Sequence, residues 1–217
     1  MPRKPNTEVR RHEIVEGLLR AMAVQGYAGA TVQAIAKAAG LAPGLIHYHF
    51  HDKREILVAL VEQLAGHARQ RYANRETGAR DARERLAAYI DARLGYGGDA
   101  NPDAVAAWVM IGAEAVRDPD VREVYQRAVT AEIALLRKLL RARLVERGKQ
   151  VRKLDHLAAG LLAYVEGVFA LASNARQVVP VGFAAGMAEA WVERYIDAEP
   201  AASDAVRKTA RKGGRQA

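Results

Sequence analysis

Cysteine is absent from this chain, so neither disulfides nor thiolate metal sites can hold its fold, and a reducing compartment such as the cytoplasm is its natural setting. Serine occurs only as Ser173 and Ser203, and Gly95-Tyr96-Gly97-Gly98 follows a helical pattern rather than the strand a phosphate loop requires. Nucleophilic and phosphoryl-transfer chemistry therefore has little to stand on, and a helical enzyme or small-molecule carrier is the weakest reading. No apolar leader opens the chain, since Met1 to Arg11 is polar and basic. The most apolar stretch, Leu157 to Ala172, runs 16 residues with Glu166 inside it. That is short of the roughly 20 apolar residues that cross a bilayer, which points to a buried helix and no membrane.

What is present is an ample core and an excess of positive charge. Half of the 217 residues are apolar, enough for one small domain and one larger one. Lysine and arginine number 33 against 25 acids, a net charge of +8 that suits a polyanionic partner.

Every periodic segment repeats at 3.6 residues rather than 2, and the punctuation between segments is that of helix caps, so the fold class is all-α. Ile14, Val15, Leu18, Leu19 and Met22 stripe a first helix that Gly26 stops. Thr31 caps a short second helix carrying Val32, Ile35, Ala36 and Ala39, ended by Gly40. Pro43 opens a third, whose missing amide hydrogen costs nothing in a first turn. Asp52 and Glu55 form a capping box for a fourth, with Leu57, Leu60, Val61 and Leu64 inward. Longer helices follow at about 80 to 94, 102 to 117, 119 to 147, 151 to 174 and 180 to 197, about nine in all. Three regions result: 1–55 as a helix-turn-helix domain, 56–198 as a larger helical domain, and 199–217 as a basic, disordered tail.

Two short helices joined by Gly40-Leu41-Ala42 and braced by a longer helix on either side make a helix-turn-helix, whose second helix enters the major groove of double-stranded DNA. Ala36, Ala39 and Gly40 let the two helices cross closely, and Pro43 and Gly44 leave the start of the second free to approach base edges. An amide such as Gln33 can pair bidentately with adenine, whereas a hydroxyl, a phenol or an ammonium donates to phosphate. Lys37, one turn along the second helix, is a further candidate.

The string Ala30-Thr31-Val32 through Ile35-Ala36-Lys37-Ala38-Ala39-Gly40-Leu41, then Gly44-Leu45-Ile46-His47-Tyr48-His49-Phe50 and Lys53, resembles the tetracycline-repressor (TetR) family. Together with Ala107-Trp108, Asp118-Pro119 and Tyr125, it is most similar to the betaine-choline repressor (BetI) branch. The resemblance implies a DNA-binding transcriptional regulator, a dimeric repressor released from a palindromic operator by a small-molecule effector. It puts Gln33, Pro43 and Gly44 near base edges, and Thr31, Tyr48, His49 and Lys53 where the family touches phosphates. In one departure, His47 stands where the family usually has tyrosine.

In the larger domain, Tyr89, Trp108, Tyr125, Tyr164 and Phe169, with Glu114 and Glu166, are the candidate effector-binding residues. Aromatic faces with a carboxylate suit a cationic effector such as choline. Ala184, Met187, Ala188, Trp191, Val192 and Tyr195 stripe the last helix, and Gly160 and Gly167 allow close approach to the helix before it. These residues are the candidate homodimer interface, a four-helix contact that would set two recognition helices on one duplex. His47 and His51 share a helical face but His49 does not, so no metal site is expected, and no cofactor is called for. The eight basic residues from Arg137 to Lys153 read as a solvated face near a helix C-terminus. A constitutive DNA-binding protein without an effector remains the alternative.

Overall fold

The computed structural model describes residues 4–95 and 100–202, and among them are nine α-helices: α1 Lys4–Gly29, α2 Val32–Ala39, α3 Pro43–His49, α4 Lys53–Glu76, α5 Ala82–Leu94, α6 Pro102–Ala115, α7 Pro119–Glu146, α8 Leu154–Asn174 and α9 Phe183–Ala198. The described residues contain no strand, only an isolated bridge of Lys149 with Ala201.

Local chemistry accounts for the ends. Thr31 Oγ1 accepts the Ala34 amide at 3.1 Å, and Gly40 closes α2 in the left-handed region at φ 69°. The Leu41 amide reaches back to the Ala36 carbonyl at 2.9 Å, and the Gly40 amide to Lys37 at 3.2 Å, the paired bonds of a Schellman ending. Asp81 and Asn101 cap α5 and α6 in the same manner as Thr31 caps α2. Gly26, at φ 70° and ψ 172°, interrupts α1 where the sequence stops it, and a further turn continues to Gly29.

Two compact units divide the chain, one of residues 1–67 with 101–129 and one of 68–100 with 130–217. The expected division after residue 55 differs from this, because α6 and the start of α7 belong with the N-terminal helices. Their residues Ala107, Ile111, Ala115, Val121 and Val124 share one core with Ile14, Leu18, Ile35, Ile46, Phe50 and Leu60. In the second unit, α9 packs on α5 and α8 through Ala184, Ala188, Val192 and Ile196. Arg143 is buried there, held by Glu193 at 2.9 and 2.6 Å and by Glu146 at 2.7 Å.

One expectation needs correction. Glu199 to Ala202 are not loose tail: the Ala202 amide donates to the Gly148 carbonyl at 2.8 Å, and the Gln150 amide to Pro200 at 2.9 Å. The tail beyond them lies outside the described residues. The apolar segment from Leu157 to Ala172 is part of α8, a 21-residue helix that is long and apolar enough to cross a membrane by length and composition alone.

Candidate nucleic-acid interface and effector residues

The leading edge of α3 is open. Pro43, Gly44, His47 and Tyr48 are exposed, Tyr48 to 80%, and a Cβ built on Gly44 would meet no atom within 4 Å. Behind that edge Ile46 and Phe50 are buried, so the helix is anchored by one face and offers the other. Gln33 and Lys37 are exposed on α2, and Thr31 is exposed at its start. The Thr31 oxygen spends a lone pair on the cap, which leaves its O–H free to donate to a phosphate. His49 is half-buried, edge-on to Tyr48 at 5.0 Å. These eight residues thus lie on or beside one exposed surface.

Lys53 is placed otherwise. Its Nζ donates to the Tyr27 carbonyl at 2.8 Å and stands 4.0 Å above the Tyr27 ring. Burial pulls its pKa below the usual lysine value, with Asp118, Asp120 and Glu114 opposing. The ammonium read as a phosphate contact is therefore a tie between the end of α1 and the start of α4. Next to it, Arg54 pairs with Asp120 at 3.0 Å and with Glu123, joining α4 to the first turns of α7. Glu114 faces the same joint, since its Oε1 lies 2.9 Å from where a Cβ of Gly26 would be.

Two residues that hold the reading head were not singled out from the sequence. Gly17 is where α1 meets α2: a Cβ there would stand 2.8 Å from the Ile35 carbonyl oxygen and 2.9 Å from the Ala39 Cβ. A glycine inside a good helix costs about 1 kcal/mol, and that unexplained cost was the available signal. Arg20 donates to the Ala38 carbonyl at 3.1 and 2.9 Å, closing the end of α2. Nothing local marks it.

The effector candidates divide between the units. In the first, Trp108 and Tyr125 lie with ring centroids 4.9 Å apart and planes 34° from parallel, both half-buried, joining α6 to α7. Glu114 is on the same helix as Trp108. In the second unit, Tyr89 is a core residue: it is 1% exposed, its hydroxyl donates to Glu132, and Glu132 is paired with Arg93 at 2.5 Å. Burial, with Glu132 next in effect, pushes its phenol far above the usual tyrosine range. The Tyr164 hydroxyl is spent on the Ala184 carbonyl at 3.1 Å, bracing α8 against α9. Glu166 and Phe169 are half-buried.

The interface candidates also separate. Ala184, Ala188 and Val192 are 3% exposed or less and pack inside the chain, so they are core and cannot meet a partner. Met187 at 59%, Trp191 at 39% and the open Gly167 remain on the surface, and Tyr195 is half-buried beside Trp191. Gly160 serves within the chain, because a Cβ there would stand 3.1 Å from the Trp191 ring. Exposed Ala159, Ala163 and Leu171 extend the surface of small and apolar side chains along α8.

Comparison with known proteins gives two family matches. Residues 14–60 match the family described as bacterial regulatory proteins, tetR family, and residues 82–200 match the BetI-type transcriptional repressor C-terminal domain. The chain is 29% identical over 203 residues to the HTH-type transcriptional regulator BetI of Rhizobium meliloti strain 1021, covering 91% of this chain and 95% of that one. Among solved structures, a putative transcriptional regulator from Pseudomonas aeruginosa PAO1 superposes with TM-score 0.78 at 22% identity, over 88% of this chain and 92% of that one. A putative transcriptional regulator from Saccharomonospora viridis, solved in complex with choline, has TM-score 0.66 at 23% identity, over 88% and 97%.

Proposed function

Since this chain belongs to the tetR family of bacterial regulatory proteins, with the C-terminal domain of the BetI-type transcriptional repressors, we propose that it acts in the cytoplasm as a homodimer that leaves a palindromic operator when a small cationic effector binds. It is a helix-turn-helix transcriptional regulator, and the open start of α3 carries the DNA-binding reading: a buried face fixes the helix while Pro43, Gly44 and His47 are free to meet base edges. Gln33 reads a base from α2, and Thr31, Tyr48 and His49 donate to phosphates on either side. His47 brings an imidazole where the family commonly brings a phenol, so it alters the contact made there.

A second copy covers the apolar surface of α8 and α9. Gly167, Ala163, Met187 and Trp191 are too apolar to be left in water together, and small residues let helices approach closely. That pairing also accounts for the hydropathy of α8 without a membrane.

For the effector, Trp108 and Tyr125 offer aromatic faces and Glu114 a carboxylate, which suits an organic cation. All three lie in the unit that holds the reading head, where Arg54 pairs with α7, Glu114 of α6 lies against Gly26, and Lys53 ties α4 to the end of α1 beside them. A ligand that spreads the Trp108–Tyr125 pair moves α6 against α7, and the joint passes the shift to α1 and α4. Typical allosteric coupling of about 1–3 kcal/mol would lower operator affinity about 5- to 150-fold.

The test is selection of binding sites from random duplexes, then titration of the selected operator with choline while Trp fluorescence is followed. An inverted repeat with half-sites about one helical turn apart, and an affinity lowered by choline, are expected. Unselective binding would overturn the regulator reading, and an operator insensitive to choline and related ammonium compounds would leave a constitutive DNA-binding protein.

A further inference from the structure

A half-open cleft of about 270 Å³ runs between α5 and α9, within the second unit. Its floor is apolar, made by Leu86 and Ile90 of α5 and Val192 of α9, and its polar groups are Arg83, Glu189 and Glu193. Glu193 is engaged, since Arg143 takes both of its oxygens. Glu189 is half-buried and has no hydrogen-bond or ion-pair partner among the described residues. A half-buried carboxylate that makes no bond is costly beside apolar side chains even with Arg83 on the same lining, and the cost is reduced by a cation that brings its own apolar surface.

We propose that this cleft is a second ligand site, taking a small alkylammonium ion whose charged head meets Glu189 and whose aliphatic part lies on Leu86, Ile90 and Val192. The electrostatics agree: burial raises the Glu189 carboxyl above its ordinary value, Arg83 opposes the rise, and Asp91 and Glu193 add to it, so the Arg83 charge does not offset the burial. An anion would meet the unbonded Glu189 carboxylate beside Arg83, and that one carboxylate supplies too few oxygens for a divalent metal. The size also limits the ligand, because the volume lies just below the range of about 300–1,000 Å³ usual for ligand pockets. Glu189 and Trp191 are two residues apart, about 200° around the helix, so the cleft and the proposed dimer surface use different sides of α9.

The experiment uses the full-length protein, labelled with ¹⁵N and titrated with n-butylammonium chloride, with 1-butanol as the neutral isostere. The expected result is a saturable shift of amides around Leu86 to Ile90 and Gly186 to Glu193 with the ammonium and not with the alcohol. Glu189→Gln, which keeps the shape and removes the charge, weakens that binding about tenfold or more, and Ala190→Leu, which fills the cleft, abolishes it. Thermal melts of both variants check that they fold. Shifts confined to residues around Trp108 and Tyr125, equal binding of the alcohol, or an affinity unchanged in Glu189→Gln would each overturn the second site while leaving the effector reading to its own fluorescence test.

Discussion

At the scale of single residues, the joint around Tyr27 and Lys53 makes the sharpest predictions. A lysine contacting phosphate releases counterions, so its loss would lower the salt dependence of DNA binding by about 0.9 in log–log slope per contact. With Nζ on the Tyr27 carbonyl at 2.8 Å, Lys53 instead supports the fold. Lys53→Ala is therefore expected to lower stability by about 1–3 kcal/mol, the worth of a charged hydrogen bond, with the salt slope of operator binding unchanged. Denaturant melts and filter binding across salt check the two halves separately. Tyr27 itself is 3% exposed, and burial first, then the charges of Asp118, Asp120 and Asp52, push its phenol up to about 12 from an ordinary 10.0. Below pH 10 both folded and unfolded chains keep the proton, so the contribution is fully present. As pH rises from 10 through about 12, only the unfolded chain gives the proton up, and stability falls by roughly 2–3 kcal/mol. Tyr27→Phe should flatten the alkaline limb of the stability profile in that window, and a profile equally steep in the variant would remove the assignment. The partner of Lys53 was not legible in the sequence, because Tyr27 is 26 residues earlier and only the folded joint brings them together.

At the scale of elements, local chemistry was legible and the facing of helices was not. Thr31, Gly40, Pro43 and the Asp52–Glu55 box set the ends of α2, α3 and α4 through bonds spanning three to five residues, so sequence spacing alone locates them. The stripe on α9 was broader than a single contact. Ala184, Ala188 and Val192 turn toward their own chain, while Met187 and Trp191 lie roughly 100° round the helix, and periodicity cannot tell a core face from a partner face. The packing of α6 on the N-terminal helices escaped for a related reason: the N-terminal core residues that Ala107 and Ile111 join lie more than 40 positions earlier. Two predictions belong here. Gly17→Ala puts a methyl 2.8 Å from the Ile35 carbonyl oxygen, so α2 must move off α1; a loss of about 1–3 kcal/mol and weakened operator binding are expected from melts and gel shifts. Ala163 is exposed on α8, so Ala163→Glu should leave helicity and monomer folding intact but halve the mass seen by light scattering. A variant still dimeric would place the partner on another face.

At the scale of the whole molecule, the distribution of charge separates attraction to any duplex from recognition of one. Residues 203–217 hold five cations, Arg207, Lys208, Arg211, Lys212 and Arg215, against the single acid Asp204, so they carry +4 of the net +8. The proposed reading surface is nearly neutral by comparison: Gln33, Thr31, Tyr48 and Gly44 are exposed and uncharged, and Lys37 is an exposed cation beside them. Neutral donors release no counterions, so the salt-sensitive share of affinity falls mainly to Lys37 and to the terminal cations, whereas sequence discrimination falls to the neutral groups. Removing residues 203–217 should then weaken binding to random duplex and to operator by similar factors and flatten both salt slopes. Their ratio, which measures specificity, should stay within about threefold of the full chain, less than the roughly 1–3 kcal/mol that one mismatched base pair costs. Competition binding against random duplex at two salt concentrations measures all three quantities at once, and a ratio that collapses on truncation would mean that the terminal cations take part in recognition itself.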